Sequence, residues 1–170
     1  MEDSNRETKK YTIRLIIAGG RDFDNFEMLK REVFEFLRYN KITSFDEVEI
    51  VSGCAFGADR LGEDFADAYG MPVAKFPARW NYFGAQAGPI RNGHMARYAT
   101  HCICFWDWQS KGTANMIKQA KENGLALQVV RYMPGLPHIK IPAIDNPIVN
   151  SKLDLIWKHK TFARFVTTQK

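Results

Sequence analysis

The sequence predicts an α/β domain: a doubly wound parallel sheet of about five strands, with a C-terminal extension ending in a short helix. Two observations predict it. Apolar, β-branched runs alternate with segments of helical period along residues 12–132, and glycines stand where several runs end. A glycine there lets a strand turn sharply into the next helix. Parallel neighbours need crossover helices, and helices on both faces let the strands be apolar throughout.

Each element has its own warrant. Thr12 to Ala18 (TIRLIIA) is a buried strand running into the turn Gly19-Gly20. Phe26, Leu29, Val33, Phe36 and Leu37 then recur at helical spacing, with Asp24 or Asn25 placed to cap. Glu47 to Ser52 (EVEIVS) is the second strand, and Leu61, Phe65 and Tyr69 mark a helix that stops at Gly70. Pro72 to Phe76 is a short third strand. The stretch PARWNYFGAQAG has no period, and Pro89 suits the first position of a helix running to about Ala99. His101 to Trp106 is the fourth strand, residues 113–123 a helix closed by Gly124, and Leu125 to Tyr132 the fifth strand. Residues 1–133 thus form one domain. Residues 134–170 add a proline-rich connection and a basic helix around Leu153, Ile156 and Trp157, packed on the same domain.

Composition excludes several classes. With 170 residues, 45% of them hydrophobic, the chain builds one core and not two. No run is long enough to span a membrane, and the charged start MEDSNRETKK is no secretory leader. The three cysteines, Cys54, Cys102 and Cys104, are odd in number and lack CxxC spacing, so reduced core thiols in a cytosolic protein are expected. The net charge of +5 is concentrated in residues 151–170, where five cations face Asp154 alone. That segment carries +4 and leaves the body near neutral, which argues against a nucleic-acid groove.

In sheets of this kind ligands sit beyond the carboxyl ends of the strands. The loops there are GGRDF (19–23), GCAFGAD (53–59), PARWNYFGAQAG (77–88) and DWQSKGT (107–113). They hold Gly19, Gly20, Gly53, Gly57 and Gly112 beside the cations Arg21, Arg79 and Lys111, with Arg91 and Asn92 just inside the next helix. Backbone amides around Gly57-Ala58 and Ser110–Thr113, close to cations, make an anion site of the kind phosphate occupies. Phe23, Phe56, Trp80, Tyr82, Phe83, Trp106 and Trp108 offer faces for a base, and Asp59, Asn92 and Asp107 offer partners for ribose hydroxyls. Together these predict a pocket for a nucleotide-like small molecule. Each piece has a plainer role too: glycines for tight turns, Asp59 as a helix-start carboxylate, Trp106 as core. His94 and His101 lack metal-ligand spacing, neither GxGxxG nor GxxxxGK[ST] is present, and no cofactor or metal is expected. Helix 26–37 carries Phe26, Phe34 and Phe36, more aromatics than one stripe needs, which predicts a homo-oligomer.

The succession IIAGGRDF, VSGCAFGADRLGEDFA, PARW…GPIRNGHM and FWDWQSKGTANMI resembles the YspA-like branch of the SLOG superfamily, the Rossmann-like group that includes Smf/DprA and LOG proteins. The resemblance spans roughly residues 12–131. It implies a Rossmann-like domain that binds, senses or sequesters a nucleotide-derived molecule, ADP-ribose-like ligands among them. In its light GCAFGAD resembles the superfamily's glycine-rich turn, there for close approach of a phosphate, and RNGHM the Arg-Asn helix start. LOG enzymes, which hydrolyse the N-glycosidic bond of nucleoside monophosphates, carry PGGxGTxxE at the stretch that here is DWQSKGTANM. Met116 falls where their glutamate would be, and it cannot act as a general base. Ligand holding is therefore the leading expectation. A LOG-like phosphoribohydrolase is the alternative, and DprA-like single-strand DNA binding a second one.

Overall fold

The structure, a computed structural model, describes residues 11–135. The short basic helix expected near residues 153–157 lies outside them, as does the connection beyond residue 135. The strands are β1 (Ile13–Gly19), β2 (Val48–Ser52), β3 (Val73–Lys75), β4 (His101–Trp106) and β5 (Ala126–Arg131). The helices are α1 (Phe26–Tyr39), α2 (Ala58–Tyr69), α3 (Trp80–Phe83), α4 (Ala87–Tyr98) and α5 (Lys111–Glu122). All strand pairs are parallel, in the order β3-β2-β1-β4-β5. This is a Rossmann-like sheet.

Its order reverses between β1 and β4. The chain steps outward from β1 to β3 and then crosses back to β4, which pairs with β1 from Leu15↔His101 to Gly19↔Phe105. Helices α1 and α2 therefore lie on one face, while α4 and α5 lie on the other. On the first face Leu15 and Ile17 meet Leu29, Val33, Phe65 and Phe105. On the second, Ile16 and Val51 meet Met95, Cys102, Cys104 and Met116. The central strand is buried on both sides, which is why TIRLIIA has no polar alternation. The connections leaving β1 and β4 diverge to opposite faces and open a crevice between them.

Most boundaries fall within a residue or two of the sequence expectation, and the exceptions have local causes. Asn25 is the cap of α1, its Oδ1 accepting from the Met28 amide at 2.9 Å. Helix α5 starts at Lys111 and not at 113, because the Ser110 hydroxyl accepts the Thr113 amide at 3.3 Å and draws two more residues into the first turn. Helix α4 starts at Ala87, two residues before Pro89. A proline inside the first turn costs nothing, since that amide has no intrahelical acceptor. The aperiodic stretch before it forms α3 and a 3-10 turn, Gly84–Gln86.

Two premises of the sequence reading need correction. The aromatics of α1 are used inside the chain. Phe34 packs on Phe65 and Tyr69 at centroid distances of 5.4 and 5.2 Å, and Phe36 is buried against His101 at 5.6 Å. Layers on two sides of the helix accept both rings, so Phe34 and Phe36 are accounted for within the chain and are not themselves an argument for a second copy. Of the cysteines, Cys102 and Cys104 are buried, but Cys54 is exposed on a turn with φ of 59°.

A latch at the end of β5 holds the first loop. The Tyr132 hydroxyl donates to Asp22 Oδ1 at 2.6 Å, and its ring meets Phe23 edge-on at 5.0 Å. Burial and the Asp22 carboxylate push the phenol well above its usual pKa. Tyr132→Phe keeps the ring and removes the bond, so a loss of about 1 kcal/mol is expected in urea unfolding. An unchanged midpoint would show that the latch carries no stability.

Candidate functional site

The glycines of the strand-end loops bring three loops into contact. A Cβ on Gly19 would lie 2.5 Å from the Phe105 carbonyl oxygen and 2.8 Å from Ala58 Cβ. The Gly20 amide donates to the Phe105 carbonyl at 3.2 Å, and its own carbonyl accepts from Ala58 at 3.4 Å. Gly57 sits at φ 79°, and a Cβ there would overlap the Gly20 carbonyl oxygen and lie 2.7 Å from the Arg21 carbonyl carbon. A Cβ on Gly53 would overlap the Arg91 guanidinium. The bend at GCAFGAD thus makes room for the neighbouring loop and for Arg91, where the sequence suggested direct approach of a phosphate. Close packing of chain on chain fills that space.

Beside this junction lies a cavity of about 320 Å³, at the lower end of the range for small-molecule sites. Ten of the expected site residues line it: Gly19, Arg21, Asp59, Trp80, Arg91, Asn92, Ser110, Lys111, Gly112 and Thr113. Six do not. Gly20, Gly53, Gly57 and Ala58 form the junction behind it, and Phe56 is 81% exposed to solvent. Asp107 is used by its own turn, its Oδ1 accepting from the Gln109 and Ser110 amides at 2.9 and 2.7 Å. Those bonds hold its carboxyl below the usual range. It shapes the start of α5 instead of meeting a ribose. The cavity also takes in Ala55, Asn115 and Met116, which the sequence did not single out as ligand contacts. Asn115 could have been found from its position one turn along the helix that begins at Lys111.

One end of the cavity is suited to an anion. Ser110 and its carbonyl satisfy the Thr113 and Ala114 amides, whereas the Lys111 and Gly112 amides have no acceptor among the described residues. A Cβ on Gly112 would meet nothing within 4 Å, so the backbone there is open to an incoming group. Unpaired amides at a helix start carry partial positive charge, and the exposed Lys111 adds a full one. Across the cavity the Arg21 guanidinium lies 5.8 Å from the centre of the Trp80 ring. That contact places a cation and a flat apolar face side by side. Asp22, the next residue along the chain, is bonded to Tyr132.

The far wall is an ionic cluster. Asp59 stands in the first turn of α2 yet is only 5% exposed, and Arg91 Nη1 of α4 lies 3.7 Å from its Oδ2. Arg91 also donates through Nη1 to the Gly53 carbonyl and through Nε to Asn92 Oδ1 at 3.1 Å. Asn92 in turn donates to the Gly112 carbonyl and to Asn115 Oδ1 at 3.3 and 3.0 Å. The chain of bonds therefore ties α2, α4 and α5 around the cavity. Burial pushes the Asp59 carboxyl up to about 6, with Arg91 and the Ala55 and Gly53 amides acting the other way. Between its ordinary value and about 6 the folded chain holds a proton that the unfolded chain has lost. The group's contribution to stability is thus fullest below the ordinary value and is lost as pH rises through 6.

A parallel α/β sheet with a cavity at its switch point is the arrangement of a Rossmann-like domain. Residues 13–83 match the model of the YspA, cpYpsA-related SLOG family, so that stretch is similar to YspA-like SLOG proteins. The similarity points to binding of a nucleotide-related ligand or to glycosidase-like chemistry. The match takes in β1, β2, β3 and the loops holding Arg21, Asp59 and Trp80; the elements bearing Arg91 and Lys111 lie beyond it. No curated protein and no solved structure matches the chain significantly.

Proposed function

We infer that the crevice binds a nucleotide-derived small molecule, ADP-ribose-like in kind, and holds it without converting it. The observation that carries this reading is the open start of α5, where the Lys111 and Gly112 amides and the Lys111 ammonium face a cavity at the switch point. A phosphate seats there, Arg21 reaches it from the opposite loop, and Trp80 supplies a stacking face for the base. Met116, 1% exposed and part of the lining, offers no proton and no charge at the position where LOG-type enzymes use a glutamate. Binding that is equal in ground and transition states gives no acceleration.

One observation favours a second reading, hydrolysis of a nucleotide N-glycosidic bond. Asp59 is a buried carboxyl in the cavity wall with its pKa raised toward neutrality, the state a general acid needs. The two readings separate by experiment. ADP-ribose and nucleoside monophosphates are incubated at length with concentrated protein, the protein is denatured, and the released molecules are separated by chromatography. Intact ligand is expected. Accumulating free base or ribose phosphate that Asp59→Asn abolishes would replace the binding reading by the hydrolytic one.

A further inference from the structure

The cations of the crevice are not equivalent. Arg21 and Lys111 have no carboxylate partner among the described residues, whereas the charge of Arg91 is already engaged. Its Nη1 serves the Gly53 carbonyl and Asp59, and its Nε serves Asn92. Asp59 is compensated for its loss of water by one guanidinium nitrogen no closer than 3.7 Å, the Ala55 amide at 3.3 Å and the Gly53 amide. A buried carboxylate without close, paired contacts keeps much of its desolvation cost. Both members of the pair line the cavity that the ligand would enter. An anion arriving there competes with Asp59 for the same guanidinium and brings a second negative charge beside it.

We propose, building on the phosphate-binding reading above, that Asp59 and Arg91 form a proton-operated counter-ion pair in the cavity wall. While Asp59 is ionised it occupies Arg91; once Asp59 is protonated, the guanidinium is released to the phosphate of the ligand. The groups whose fields reach Asp59 agree with this assignment. Arg91 of α4 favours ionisation, and Glu63 on its own helix opposes it. The Cys54 thiol, in the loop after β2, is pushed up first by burial, and the Cys102 thiol, on β4, first by its bond with Cys104 and by burial. The Asp59 charge adds a little to each, and both stay neutral near pH 6. Burial brings the Asp59 transition to about 6, where a phosphodiester does not change charge. Linkage then works in both directions: acid tightens anion binding, and a bound anion draws a proton onto Asp59.

The test uses ADP-ribose and inorganic sulfate, whose charges stay constant from mildly acidic to neutral solution. Calorimetry at about pH 5.5 and about pH 7.5, in buffers of different ionisation enthalpy, reads both affinity and protons exchanged. The full-length protein is expected to bind ADP-ribose about tenfold tighter at the lower pH and to take up a proton on binding near pH 6. Asp59→Asn is expected to bind equally at both pH values, at the tighter affinity. A carboxyl-carbon NMR titration of the unaltered protein needs no variant: one aspartate should titrate near 6 and move upward when sulfate is added. Binding that Lys111→Ala weakens but that is the same at both pH values, with no proton uptake, overturns the counter-ion pair and leaves the phosphate site standing. If Lys111→Ala changes binding at neither pH, the phosphate reading falls and the proposal falls with it.

Discussion

Gly57→Ala is expected to lower the unfolding free energy by about 3 kcal/mol or more, enough to threaten a domain of ordinary stability. Two costs add. The residue sits at φ 79°, a conformation that charges a side-chain-bearing residue about 1–3 kcal/mol. Its new Cβ would also overlap the Gly20 carbonyl oxygen and crowd the Arg21 backbone, so the β1 and β2 loops must part. Backbone atoms on both sides cannot move aside as the end of a flexible side chain can. Gly112→Ala is the control, since its Cβ meets nothing within 4 Å. It should leave stability within about 0.5 kcal/mol of the original. Chemical denaturation of the two variants side by side decides the matter. Equal small losses would mean that the β1–β2 junction relaxes freely and that Gly57 is not what shapes the crevice.

The second large effect concerns the ligand. Arg21→Ala combined with Lys111→Ala is expected to weaken binding of ADP-ribose by on the order of a hundredfold or more. Each charge-assisted contact to phosphate contributes about 1.5–3 kcal/mol, and about 1.4 kcal/mol is a factor of ten. Both side chains are exposed and neither has an ion-pair partner among the described residues, so their removal should not disturb the fold. Arg91→Ala is a poorer probe, because it also strips Asp59 and the Gly53 carbonyl of their partner. Calorimetry on the single and double variants would show the two losses adding if the cations reach separate phosphates, and overlapping if they share one. Affinity unchanged in the double variant would place the phosphate elsewhere.

The salt dependence of that binding bears on the sign of the whole site. With Asp59 ionised the lining carries Arg21, Arg91 and Lys111 against one carboxylate, so the cavity remains positive overall. Steering of an anion into it should weaken as ionic strength rises.

What the residues determined locally is the scaffold. TIRLIIA is apolar without alternation because both faces of β1 are covered, and HCICFW is its neighbour for the same reason. Leu29, Val33, Phe36 and Leu37 mark the buried side of α1 because a helix repeats its environment every three to four residues. Gly70 closes α2 in the left-handed region, where a side chain would be strained. These patterns depend on neighbours within one turn or one strand, so they can be read in order along the chain. The loops at the carboxyl edge follow from them, and with those loops and the start of the next helix ten of the cavity's residues.

What each loop residue does there depended on partners far away in sequence. Gly53 gives way to a guanidinium 38 residues further on, and Gly20 lies against the Tyr132 hydroxyl from the end of β5, two strands away. Asp59 resembles any helix-start carboxylate until the crossover through α4 lays Arg91 over it and excludes water. Asp107 and Asp59 are alike as letters near a helix start; one is half-buried and bound by two amides of its own turn, the other buried beside a cation. Burial raised one pKa and local hydrogen bonds lowered the other, and only the packing of α2, α4 and α5 around one cavity could decide which carboxyl received which environment.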